Sequence, residues 1–186
     1  RSELHDPKNK GFYSRKHRGG IVMHQIIIND EDLKKATTRY EFNNLKNSIT
    51  KGESEIYGAL GEVMVLNYYK NKAKVIDESS FNYDLILNGF TVEVKTKKIK
   101  YPPKEDYIVS VAASNATQNC NYYYFTMVHN FLKRGWLLGY MSREDFFKKA
   151  VFCKKGEKDI LHKNNNFIIR SDCWSIKISD ITNRIE

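Results

Sequence analysis

The dipeptide Asn88-Gly89, set between two alternating apolar runs, constrains this chain more than any other feature. Asn-Gly favours the positive φ angles of a type I′ turn, whose twist suits a two-residue β-hairpin. That turn fixes the register. Leu87 faces Phe90, Ile86 faces Thr91, Leu85 faces Val92 and Asp84 faces Glu93, with Tyr83 and Asn82 continuing opposite Val94 and Lys95. Successive strand residues point to opposite faces. One face of the ribbon is therefore apolar, with Leu87, Phe90, Leu85, Val92, Tyr83 and Val94. The other gathers Asp84, Glu93, Asn82 and Lys95. Directly opposed side chains have Cβ atoms about 4.5–5.5 Å apart, and like charges there destabilise the pair. A hard divalent cation offsets that repulsion, because it takes carboxylate oxygens. Lys95 would then sit beside the cation. A solvated Lys/Glu/Asp network on an exposed hairpin is the plain alternative.

A third carboxylate precedes the hairpin. Residues Glu53–Tyr69 follow helical spacing through Ile56, Leu60, Val63 and Leu66. Glu62 lies in this helix, after Gly58 and Gly61. Each glycine costs about 1 kcal/mol relative to Ala in a helix. The compensation expected is a close approach of the helix to a sheet, which would turn Glu62 toward the carboxylate face. An ordinary exposed helical Glu is the competing reading.

Residues 1–20 read as a basic arm, with Arg1, Lys8, Lys10, Arg15, Lys16 and Arg18 against Glu3 and Asp6. From residue 21 to 186 the pattern is that of a single mixed α/β domain. Strands are expected at Ile21–Ile28, Ala73–Ile76, Phe81–Leu87, Phe90–Lys97, Tyr107–Val111, Tyr122–Val128 and Gly135–Met141, with short strands or turns at Phe167–Arg170 and Cys173–Ile178. A helix capped by Asn29 or Asp30 runs to about Ser48, and another capped by Ser142 runs to Ala150. Ala112–Asn119 is a loop or short helix. Tyr122-Tyr123-Tyr124-Phe125, Trp136 and Trp174 are expected to pack rather than stack on bases.

The chain has 186 residues, enough for one core without metal or disulfide staples. Its 31 basic residues exceed its 22 acidic ones by 9, and the pI is near 9.3, which favours a polyanionic partner. No apolar run approaches the roughly 18 residues of a membrane span. Cys120, Cys153 and Cys173 are odd in number and widely spaced, which suggests free thiols in a reducing, cytoplasmic compartment. The five histidines form no close pair with each other or with a cysteine, so a zinc finger is not expected.

In order and context, a helix with Glu62, a strand, a strand with Asp84, a strand with Glu93-Val94-Lys95, a short helix and then strand Tyr122–Val128 resemble the restriction-endonuclease-like core of the PD-(D/E)XK nuclease superfamily. The resemblance covers about residues 52–130. It implies an α/β fold with a mixed sheet flanked by helices. It matches Asp84 to the family's metal-binding Asp, Glu93 and Lys95 to the (D/E)-x-K element, and Glu62 to the acidic residue of the first core helix. The Val94 backbone carbonyl matches a further metal ligand. Tyr83 stands where the name-giving proline would be, and Tyr107–Val111 adds a strand where the family often goes straight to helix.

What the resemblance implies is a Mg²⁺- or Mn²⁺-dependent deoxyribonuclease, an endonuclease by preference, in a bacterial or phage-infected cell. Glu62 would reach the metal directly or through water. Lys97, Lys98, Lys100, Asn115 and Gln118 would contact nucleic acid, Gln118 also lying near the metal. A homodimer is compatible with one site cutting one strand at a time. A non-catalytic DNA-binding module of the same fold is the rival class. A ribonuclease, or a structure-specific nuclease such as a Holliday junction resolvase, shares the same charge signature.

Overall fold

Asn88 and Gly89 take φ values of 51° and 85°, both in the left-handed region that a type I′ turn demands. Around this turn the computed structural model, which describes residues 12–15, 23–43, 55–76, 81–162 and 166–182, builds a seven-stranded sheet. Its elements are β1 (Phe12–Arg15), β2 (Met23–Ile27), α1 (Asp30–Asn43), α2 (Glu55–Tyr69), β3 (Ala73–Val75), β4 (Leu85–Leu87), β5 (Phe90–Ile99), β6 (Ile108–Ala112), β7 (Tyr122–His129), β8 (Arg134–Ser142), α3 (Arg143–Lys149), β9 (Val151–Cys153) and β10 (Cys173–Lys177). The large sheet runs in the order β1-β2-β8-β7-β5-β4-β3, and a small sheet runs β6-β10-β9. In the large sheet β5 and β7 are parallel and every other neighbouring pair is antiparallel. The protein is thus a mixed α/β fold.

The helices begin where the sequence places their caps. Asn29 Oδ1 accepts from the Asp32 amide at 2.9 Å and Asp32 Oδ2 accepts from the Asn29 amide at 3.1 Å, a reciprocal cap for α1. Ser142 Oγ accepts from the Asp145 amide at 3.0 Å and starts α3. The last residues expected in the first helix, 44–48, lie outside the described residues. Within the expected arm, Phe12–Arg15 pairs with β2 as an edge strand; the rest of 1–20 lies outside the described residues. β9 has no counterpart in the expected elements. The link from β5 to β7 contains β6 and a 3-10 turn, Ala113–Asn115, and no α-helix among the described residues.

Two apolar layers cover the large sheet. On one face α2 packs across β5, β7 and β8, and Leu60, Val63 and Met64 meet Leu85, Leu87, Val92, Val94, Tyr124 and Leu137. On the other, Tyr123, Phe125 and Met127 of β7 meet Phe146 of α3 and Val109, Val111 and Ile176 of the small sheet. The aromatic run of β7 therefore packs on both faces, as strand alternation dictates. Trp136 is buried, and Trp174 sits between Phe147 and Phe152. Cys120, Cys153 and Cys173 are free thiols. No helix among the described residues is long and apolar enough to cross a membrane.

Only one of the two helical glycines brings α2 to the sheet. A Cβ on Gly61 would collide with Thr96 Oγ1 and lie 2.6 Å from Thr126 Oγ1. These hydroxyls bond each other at 2.8 Å and tie β5 to β7 directly beneath the helix. At Gly58 a Cβ would meet nothing within 4 Å, so the close approach expected there does not occur. The two glycines should respond to Ala with opposite signs. Gly61→Ala should destabilise by about 1–3 kcal/mol through overpacking. Gly58→Ala should stabilise by about 0.5–1 kcal/mol through helix propensity. Urea unfolding of both variants measures the contrast.

Candidate active site

The hairpin ladder keeps the expected register from Leu87/Phe90 to Leu85/Val92 and then stops. The Asp84/Glu93, Tyr83/Val94 and Asn82/Lys95 pairs expected from the sequence do not form. Instead the Asp84 amide donates to the Val92 carbonyl at 3.0 Å, and Asp84 Oδ2 accepts from the Val94 amide at 2.7 Å. The carboxylate takes over a backbone donor that a longer β4 would have satisfied, a local side-chain bond competing with the ladder. The chain before it turns away. Tyr83 packs against the layer opposite the hairpin's apolar face, and Asn82 Oδ1 accepts from the Asn119 amide at 3.1 Å.

Glu93 and Lys95 lie two residues apart on β5 and share a face, as alternation requires. Lys95 Nζ donates to Glu93 Oε1 at 2.7 Å, with the two side chains 15% and 8% exposed. Gln118 Nε2 donates to the same oxygen at 2.7 Å and to the Phe81 carbonyl at 2.8 Å. Gln118 is buried here, beside the carboxylates. Its loop is held by Arg143, which donates to the Ala116 carbonyl at 2.7 Å. Glu93 Oε2 is buried with no hydrogen-bond partner among the described residues.

Glu62 reaches this cluster from α2, and Arg39 of α1 meets it there. Arg39 donates through Nε to Glu62 Oε2 and through Nη2 to the Asp84 carbonyl at 3.3 Å. Arg39 carries no motif that marks it in the sequence. It lies outside the hairpin and outside residues 52–130, in a helix with no motif of its own. The one legible cue is indirect: the Asn29/Asp32 cap fixes where α1 begins and hence which residues share its inner face.

Burial and mutual repulsion set the electrostatics. Desolvation, with Glu62 and Glu93 adding to it, raises the Asp84 carboxyl well above the usual range, against the Val94 amide and Lys95. Desolvation also raises Glu62, opposed by Arg39 and reinforced by Glu93. Burial, with the Glu93 charge next, pushes the Cys120 thiol up to about 11, so it is not a thiolate nucleophile near neutral pH.

The basic run is divided by the alternation of β5. Lys97 projects on the Glu93 face, where its Nζ donates to the Ile108 carbonyl at 2.9 Å; burial of that head group lowers its pKa. Lys98 points the opposite way and its ammonium lies 4.9 Å from the Tyr57 ring centre. Lys100 is exposed near the far end of the strand. These three lysines therefore do not form one approach to the carboxylates. Asn115 is half-buried and its carbonyl accepts from the Gln118 amide at 3.1 Å, so it shapes the loop that carries Gln118.

Among the described residues, no three His, Cys, Asp or Glu side chains are grouped as a ready metal site. Lys95, Gln118, Arg39 and the Val94 amide each occupy a carboxylate oxygen. The orphaned Glu93 Oε2 and the strained ionisation of Asp84 nonetheless fit a hard cation, which takes carboxylate and carbonyl oxygens. No protein-family model matches this chain, and no curated protein matches it.

The repulsion at Asp84 has a measurable consequence. Its carboxyl titrates higher in the folded chain, so stability in EDTA is greatest while Asp84 is protonated and falls as pH rises through its folded pKa. Asp84→Asn keeps an acceptor for the Val94 amide and removes the charge. We expect it to stabilise the chelated protein at neutral pH by about 1 kcal/mol, or roughly 2–4 °C in melting temperature. The gain should shrink toward acid pH. Thermal unfolding in EDTA across pH checks both.

Proposed function

We propose that this protein is a divalent-metal-dependent nuclease of the PD-(D/E)XK type, acting on DNA phosphodiester bonds. The observation that carries the reading is the meeting of Asp84, Glu93 and Lys95 where β4 leaves β5, with Glu62 reaching them from α2. The order of elements supports it. A helix, three antiparallel strands and a crossover to a fourth strand parallel to the third describe α2, β3, β4, β5 and β7. The restriction-endonuclease-like core has that arrangement, with a helix where this chain has β6 and a 3-10 turn. The excess of 9 positive charges suits a polyanionic substrate.

Asp84, Glu93 and the Val94 carbonyl would hold Mg²⁺ or Mn²⁺. Such an ion lowers the pKa of bound water and screens a phosphate oxygen. The protein's own contribution is positional. Asp84 is fixed by the Val94 amide, and Glu93 by Gln118. Lys95 keeps a nearly buried ammonium at the carboxylates, able to donate to a phosphate oxygen as charge builds on it in the transition state. Water attacks phosphorus, the bond to the 3′ oxygen breaks, and a 5′-phosphate and a 3′-hydroxyl result.

Supercoiled plasmid incubated with Mg²⁺ should be nicked or linearised, and EDTA should stop the reaction. Glu93→Ala should lose cleavage. Lys95→Ala should cut about 10²–10³-fold more slowly while binding DNA as before. Cleavage that survives Glu93→Ala would place the active site elsewhere. A wild-type protein that shifts DNA on a native gel but cleaves neither DNA nor RNA would favour a binding module. Preference for RNA in competition would make it a ribonuclease.

A further inference from the structure

On the metal-dependent reading, the three carboxylates divide their work, and Arg39 decides how. Helices α1 and α2 run antiparallel, locked at one end by Asn67 Nδ2 donating to Asp32 Oδ1 at 2.7 Å. Arg39 follows Asp32 by two helical turns and so projects from the same face of α1. There it meets Glu62 as a part-buried ion pair, with Arg39 and Glu62 19% and 10% exposed, and also reaches the Asp84 carbonyl.

An ion pair of this kind is a net-neutral unit. Its carboxylate has both its charge balanced and an oxygen occupied, and removing one partner leaves a costly bare charge. Glu93 is placed differently. Among the described residues it keeps one buried oxygen with no partner, and it lies beside Asp84, whose Oδ2 accepts only the Val94 amide. Three carboxylates face two cations, Arg39 and Lys95. One negative charge is left over, which a single divalent ion more than balances.

We propose that Arg39 is a positioning residue that keeps Glu62 as its own partner, so that Asp84 and Glu93 take one divalent cation without Glu62 as a direct ligand. Arg39 thereby sets the ion count of the site from a helix outside the strand-and-helix core.

Calorimetric titration of the full chain with Mn²⁺ tests this without reference to cleavage. The wild type should bind one ion per chain at a site that Glu93→Ala abolishes. The double variant Arg39→Gln, Glu62→Gln exchanges the ion pair for an amide–amide hydrogen bond. It should still bind one ion, within a few-fold of the wild-type Kd, because it changes neither the ligands nor the net charge. Arg39→Gln alone frees Glu62 and removes a nearby positive charge, so Mn²⁺ should bind about tenfold tighter or a second ion should enter. If Arg39→Gln does not fold by circular dichroism, the double variant decides. Loss of Mn²⁺ in the double variant would make Glu62 a ligand and overturn the proposal. Wild-type binding in Arg39→Gln would reduce Arg39 to a structural brace and overturn it too. A wild type that binds no Mn²⁺ would instead remove the metal-dependent reading, and this proposal with it.

Discussion

The early end of strand β4 is the constraint from which the site follows. Had the ladder continued, Asp84 and Glu93 would face each other as an ordinary cross-strand pair. Instead the Asp84 carboxylate accepts from the Val94 amide, and the chain before it turns toward the opposite face of the sheet. The exchange satisfies a backbone donor with a charged acceptor, a stronger bond than a neutral one. It also draws Asp84 into a partly buried position beside two other carboxylates. That crowding is a local conflict in an otherwise consistent fold, and such conflicts collect at functional sites.

Everything around the conflict serves to hold it. Gly61 lets α2 lie on the Thr96–Thr126 bond, which places Glu62 at the cluster. The Asp32–Asn67 contact sets α1 against α2, which brings Arg39 over Glu62. Arg143 at the start of α3 fastens the loop that delivers Gln118 to Glu93. Around the β4–β5 hairpin, α1, α2 and the Gln118 loop are thus each anchored by a contact away from the carboxylates.

Much of this was legible in the sequence because it depends on short-range rules. The Asn88-Gly89 turn sets three rungs of register, alternation puts Glu93 with Lys95, and Ser142 marks the start of α3. Where the reading failed, a longer-range competitor prevailed. Alternation was carried past Leu85, where a side-chain bond replaces the ladder. Gly58 was paired with Gly61, though only contact with the sheet separates them. Lys97, Lys98 and Lys100 were grouped by their adjacency in sequence, although β5 sends Lys97 and Lys98 to opposite faces. Arg39 was invisible because its role exists only once two helices have packed.

Asp84 and Glu93 either hold one cation between them or form a solvated network of charges with Lys95. Anomalous diffraction from crystals equilibrated with Mn²⁺ examines that directly. A single anomalous peak touching the Asp84 and Glu93 carboxylates, with Arg39 still on Glu62, is the result predicted. Absence of a peak there, or a peak ligated by Glu62 after Arg39 has swung away, would contradict it.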